Sequence, residues 1–116
     1  MMAKDDAMMR KDFPTVAVIR ADWCPYCKKL EPIMMDLMKE YGEKINFVVF
    51  DITNEETTAK SMELAKEKGL EEFFNDNKDK SAFVVIFKDG KEKFKAKYKT
   101  EREVYVKEFD KVLKNK

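Results

Sequence analysis

Cys24 and Cys27 are the side chains best suited to covalent chemistry, and they stand one helical turn apart in Cys24-Pro25-Tyr26-Cys27. The chain has no other cysteine and no histidine. A structural disulfide gains most from closing a long loop, and this loop is minimal, so its expected use is chemistry rather than stapling. Lack of His removes the commonest general base and the commonest metal ligand. Zinc sites also use Cys-x-x-Cys, but zinc takes four ligands and one chain offers two thiolates. A metal would need a dimer or carboxylates, so no metal and no cofactor is expected.

The chemistry of the pair depends on the elements that position it. Thr15-Val16-Ala17-Val18-Ile19 is short, apolar and rich in β-branched residues, which suits a strand buried on both faces. From Pro25 to Tyr41, the spacing of Leu30, Ile33, Met34, Leu37, Met38 and Tyr41 is helical, and Gly42 fits just beyond the end. Cys24 then lies at a helix N-terminus, where the dipole and unpaired N–H groups favour its thiolate. A pKa drop from about 8.5 to about 7 raises the thiolate fraction at neutral pH from roughly 3% to about half. Cys27, one turn on, is expected to be the more enclosed thiol and to attack a mixed disulfide formed at Cys24. Pro25 suits the first helical position. Pro32 is expected to kink the helix.

The rest of the chain reads as a frame for that turn. Residues 45–52 predict a second buried strand, with Thr53 or Asn54 capping a second helix that ends near Gly69. Residues 71–80 read as an extra helical turn and a polar loop. Phe83 to Phe87 predicts a third strand, and Asp89-Gly90 a hairpin into a fourth. Period two in that strand puts Phe94, Ala96 and Tyr98 on one face and Lys91, Lys93, Lys95, Lys97 and Lys99 on the other. Val104, Tyr105, Phe109, Val112 and Leu113 stripe a last helix. The predicted fold class is α/β, in the order βαβαββα, with a mixed four-stranded sheet flanked by helices. Residues 1–12 form a short extension, and 13–116 a single domain.

The chain of 116 residues is 44% hydrophobic and 41% charged, which fits one globular domain with a heavily solvated surface. A net charge of only +1 gives no whole-chain pull toward nucleic acid or membrane. No run of about 18 apolar residues predicts a membrane span. The start, Met1-Met2-Ala3-Lys4-Asp5-Asp6, lacks the apolar core of a signal peptide. The expectation is a soluble, cytoplasmic monomer, or an exported one if a signal peptide has been removed.

At the motif, the chain resembles the thioredoxin family. Trp23-Cys24-x-x-Cys27-Lys28 is similar to its active-site signature, Pro32 to its helix-kinking proline, and Phe87-Lys88-Asp89-Gly90 to its hairpin. The resemblance spans about residues 14–114 and implies a thioredoxin-like fold and exchange of disulfides with proteins. Pro25-Tyr26 followed by Lys28-Lys29 is similar to glutaredoxins, but the Gly-Gly that holds glutathione is missing, and Trp23 and Pro32 favour thioredoxins.

Three departures matter. The family's buried acid, six residues before the first Cys, is replaced by Val18, and a lysine near it by Val49. Proton transfer must then use water or another group. Ala82 stands where the family has a cis-proline. A cis bond before a non-proline costs roughly 2.5–4 kcal/mol, so the Ser81–Ala82 peptide is expected to be trans. The segment between Gly69 and Ala82 is also longer than usual. It is expected to border the active-site end and to select substrates.

The resulting expectation is a protein thiol–disulfide oxidoreductase in which Cys24 attacks and Cys27 resolves. Trp23, Pro25, Tyr26, Ser81 and Ala82 form the substrate-contact surface. Its partners are protein disulfides and a recycling reductase or oxidant. Two alternatives stay open: a binding module for metal or a partner, and a glutathione-dependent reductase. Blander roles are expected elsewhere. Met34, Met35 and Met38 read mainly as core filling. The alternating lysines read as edge protection. Phe73 and Phe74 read as packing under the long segment.

Overall fold

In a computed structural model, the described residues are 13–114. The extension expected over residues 1–12 lies outside them. Strand β1 (Thr15–Arg20) leads through a four-residue turn into helix α1 (Pro25–Tyr41). Strand β2 (Asn46–Asp51), helix α2 (Glu55–Glu67) and helix α3 (Glu71–Asn77) follow. Strands β3 (Phe83–Lys88) and β4 (Lys91–Lys97) then form a hairpin, and helix α4 (Arg102–Lys114) closes the fold. The order differs from the expected one only in that the extra turn after Gly69 is a helix of its own.

The sheet runs β2-β1-β3-β4. β1 pairs with β2 in parallel, Thr15 beside Asn46 through Arg20 beside Asp51. It pairs with β3 in the antiparallel sense, Thr15 beside Phe87 through Ile19 beside Phe83. Central placement explains the unbroken apolar run: Val16, Ala17, Val18 and Ile19 are all buried. β2 is an edge strand, which corrects the expectation that it is buried throughout. Among the described residues no further strand pairs beyond β2, and Val49 is 38% exposed.

Alternation along β2 sorts the helices onto two faces. Phe47 meets Phe109 of α4 edge-on, whereas Phe50 packs on Phe73 and Phe74 of α3. Tyr41 of α1 also packs on Phe109, and its hydroxyl donates to Asp110 at 2.9 Å, so α1 and α4 share a face. Phe73 and Phe74 are core residues, as expected.

Local chemistry sets the element ends. Asn54 caps α2 by accepting from the Thr57 N–H at 2.9 Å, while Thr57 Oγ1 accepts from the Asn54 N–H at 3.0 Å. Gly42 follows α1 in ordinary right-handed geometry. A side chain there would place its Cβ 2.5 Å from the Met38 carbonyl oxygen. Asp89 and Gly90 both have positive φ, 56° and 78°, as a tight two-residue hairpin turn demands. Pro32 lies inside α1, and the helix continues through it from Pro25 to Tyr41.

Candidate active site

Cys24 is the N-cap of α1. Its φ of −92° and ψ of 115° are extended, so the chain leaves β1 and enters the helix at this residue. Its Sγ accepts from the Cys27 backbone N–H at 3.3 Å. Pro25 occupies the first turn, where a missing N–H costs nothing. Both cysteines are free thiols.

The two sulfurs are chemically unequal. Burial opposes charge on Cys24, but hydrogen bonds from the Cys27 thiol, the Ser81 hydroxyl and the Cys27 and Tyr26 backbone N–H groups outweigh it. The Cys24 thiol therefore ionises below its ordinary value. Burial pushes Cys27 up to about 11, helped by its thiol bond to Cys24 and by charge on that sulfur. The backbone groups of Ala21 and Ala82 pull Cys27 weakly the other way.

Exposure does not distinguish the pair as expected. Cys24 is 2% exposed and Cys27 is 0% exposed, so both sulfurs are enclosed. The Ser81 hydroxyl, on the approach to β3, bonds to the Cys24 sulfur. The difference between the thiols rests on the hydrogen bonds to the Cys24 sulfur and on the burial that raises Cys27.

The expected surface residues surround this turn. Trp23 and Tyr26 are exposed, whereas Ser81 and Ala82 are buried. The Trp23 indole N–H donates to the Thr53 carbonyl at 2.9 Å, which pins the ring beside the β2–α2 connection. Among the described residues there is no cis peptide, so Ser81–Ala82 is trans; Ala82 instead adopts a φ of 52°. That left-handed turn brings the chain into β3 without the proline.

Behind Cys27 lies a cavity of about 230 Å³, lined by Val18, Val49, Leu30, Met34, Met35 and Met38. Arg20 and Glu31 are the charged residues at its wall. Met34 is core, as expected, but Met35 is 62% exposed at the cavity mouth. Arg20 ties three elements together beneath the cysteine turn. It donates to Glu31 on α1 at 2.6 Å, to Asp51 on β2 at 2.5 Å and to Asp22 at 2.7 Å. Asp51 also accepts from the Thr53 N–H at 2.8 Å, and the Asp22 N–H donates to Thr53 Oγ1 at 2.9 Å. These bonds fix the turn that carries Trp23 and Cys24. Among the described residues, no group of three or more Cys, Asp and Glu forms a metal-binding cluster.

Two expectations about the surroundings fail. Tyr98 does not join Phe94 and Ala96 on the covered face of β4. The strand ends at Lys97, and Tyr98 turns out with a φ of 65°, 44% exposed, its ring stacked on Tyr26 at 4.6 Å. The long segment does not simply border the active site either. Glu72, Phe73 and Asp76 of α3 line a hollow of about 610 Å³ beside Asp89 and Gly90, at the sheet end opposite the cysteines. Only the residues after α3 lead back, with Lys78 beside Asn54. Sequence reasoning missed Arg20, Thr53 and Tyr98. A lone arginine closing an apolar strand was a usable signal for the first. Nothing in the alternation of β4 marked Tyr98.

The thioredoxin family model matches residues 4–111. The chain belongs to the thioredoxin family. A curated relative, the chloroplastic thioredoxin-like protein HCF164 of Arabidopsis thaliana, is 39% identical over 41 residues, covering 35% of this chain. The match spans only 16% of that relative's own length. Among solved structures, the Malassezia sympodialis thioredoxin (Mala s 13) aligns with a TM-score of 0.61 at 17% identity, covering 97% of this chain and 88% of that one. Mitochondrial thioredoxin 3 of Saccharomyces cerevisiae aligns with a TM-score of 0.58 at 21% identity, covering 94% and 87%. At such identities the structural likeness concerns the fold, and the thioredoxin fold is what this chain has. Among the described residues, no helix is long and apolar enough to cross a membrane.

Proposed function

We propose that the protein is a thiol–disulfide oxidoreductase acting on protein disulfides through Cys24 and Cys27. The observation that carries this reading is the unequal pair: Cys24 is lowered by hydrogen bonds at a helix N-cap, while Cys27 is raised to about 11. A low-pKa thiol attacks as thiolate, and its high-pKa neighbour keeps its proton until the second step.

In the reducing direction, the Cys24 thiolate attacks one sulfur of the substrate disulfide. A mixed disulfide forms and the other substrate sulfur leaves as thiolate. Cys27 then loses its proton and attacks Cys24 Sγ. This releases the second substrate sulfur and leaves a Cys24–Cys27 disulfide, so two electrons pass from the protein to the substrate. A reductase restores the dithiol; an oxidant drives the reverse course. Val18 and Val49 provide neither acid nor base. The Cys27 proton therefore goes to the departing substrate thiolate or to water. Trp23, Pro25, Tyr26, Ser81 and Ala82 are the proposed contact surface.

Insulin reduction with dithiothreitol as the recycling reductant tests the activity. Precipitation that depends on the protein, and vanishes in Cys24→Ser, supports it. Equal rates with Cys24→Ser would sink it. The same assay driven by glutathione separates the glutathione-dependent alternative, and metal analysis of anaerobically purified protein separates the metal-binding one.

A further inference from the structure

We propose that Tyr98 is a specificity-determining residue. Stacked on Tyr26 inside the cysteine motif, it makes a two-ring aromatic platform, which takes an apolar or aromatic side chain next to the substrate's disulfide cysteine. This inference rests on the disulfide-exchange reading above and names the class of substrate.

The first observation is placement. Among the described residues, the most exposed aromatic side chains are Trp23, Tyr26 and Tyr98, at 59%, 44% and 44%. Two flank or lie within the cysteine motif, and the third stacks on it with ring centroids 4.6 Å apart. Exposed Trp and Tyr are costly to leave in water and are the residues interfaces use most as anchors. Here they are gathered where a substrate sulfur must arrive.

The second observation is how Tyr98 gets there. Continued strand geometry would carry it to the face shared by Phe94 and Ala96. Its φ of 65° turns it out instead, a conformation that a bulky residue rarely holds. Its N–H donates to the Ala82 carbonyl at 2.9 Å, and Ala82 is itself left-handed at 52°. Two unusual backbone conformations thus support one another across the β3 and β4 ends. The Lys97 ammonium lies 5.2 Å from the Tyr98 ring centroid and further holds the ring. Strain of this kind persists where it places a side chain for use. The ring itself contributes nothing to the core, since it is nearly half exposed.

The occupant follows from the same surface. The stacked rings offer flat apolar area at little entropic cost, and the Ala82 carbonyl is already paired with Tyr98. The stacked rings are the recognition element proposed at this edge.

The test uses two disulfide peptides that differ only in Phe or Ser beside the cysteine, with hydroxyethyl disulfide as a small control. The wild-type protein should favour the Phe peptide by about tenfold in kcat/KM, mainly through KM. Tyr98→Gly suits the left-handed backbone and removes the ring. It should bring the preference to within about twofold and spare hydroxyethyl disulfide, while Tyr98→Phe keeps the preference. NMR titration with the same peptides, Ser replacing Cys, reads binding without chemistry. The Phe peptide should shift the Tyr26 and Tyr98 ring signals in the wild type at lower concentration than the Ser peptide. A preference unchanged in Tyr98→Gly, an equal loss on all three substrates in that variant, or no difference between peptides in the NMR titration would overturn the platform. Failure of the wild type to turn over hydroxyethyl disulfide, with the NMR preference intact, would overturn the redox reading and leave the platform standing.

Discussion

Val18 and Val49 sit side by side in the parallel register of β1 and β2, and both line the cavity that reaches Cys27. The place where the family carries an acid and a lysine is therefore an apolar wall. Val18→Asp should destabilise the protein at pH 7 by about 3 kcal/mol, the cost of a carboxyl whose pKa is pushed up by roughly two units on burial. Such a group is uncharged in acid, so the penalty should shrink toward pH 4 and grow as pH rises. Urea unfolding of wild type and variant at both pH values measures it. A penalty independent of pH would show that the added carboxyl is solvated.

The thiols should label in a fixed order. Near neutral pH, iodoacetamide should modify Cys24 first, because its thiolate is favoured although it is as enclosed as Cys27. The sign for stability differs between them. Cys24, held low, strengthens the reduced fold above its unfolded pKa and loses that contribution as pH falls through its folded value. Cys27, raised from 9.0 to about 11, gives a contribution that is full below about 9 and lost as pH climbs toward 11. Mass spectrometry after timed alkylation across pH 5–10 checks the order. Cys27→Ser should accumulate mixed disulfides at Cys24.

The Ser81 hydroxyl donates to the Cys24 sulfur. Removing its hydroxyl in Ser81→Ala should raise the Cys24 pKa, because one donor to the thiolate is lost. The rate at pH 7 should fall by about three- to tenfold, with recovery at higher pH, and Ser81→Thr should restore most of it. A loss that stays constant across pH would point to misplacement of the segment instead.

Helix α3 should behave as core. Phe74 is fully buried and packs on Phe50 at 5.0 Å, so Phe74→Ala should cost about 3–5 kcal/mol. Deleting residues 71–80 should abolish cooperative unfolding, where a detachable substrate loop would leave the fold intact. Calorimetry distinguishes the two results.

Much of this was legible in the residues themselves. The apolar run of β1, the helical stripe from Leu30 to Tyr41 and the Asp89-Gly90 turn each carry a local physical signal, and together they put Cys24 at a helix start. Short-range chemistry of this kind needs no knowledge of distant neighbours. What the tertiary structure alone decided comes from contacts between segments far apart in the chain. Edge placement leaves Val49 open although its strand reads as buried. The Ser81 hydroxyl bonds to the Cys24 sulfur across more than fifty residues of sequence and helps hold that thiol low, while burial raises Cys27. Alternation along β4 predicts a covered Tyr98, because period two describes a strand and cannot say where the strand stops. The bond from Tyr98 to Ala82 stops it, and that bond exists only once β3 and β4 are paired and the ring can rest on Tyr26.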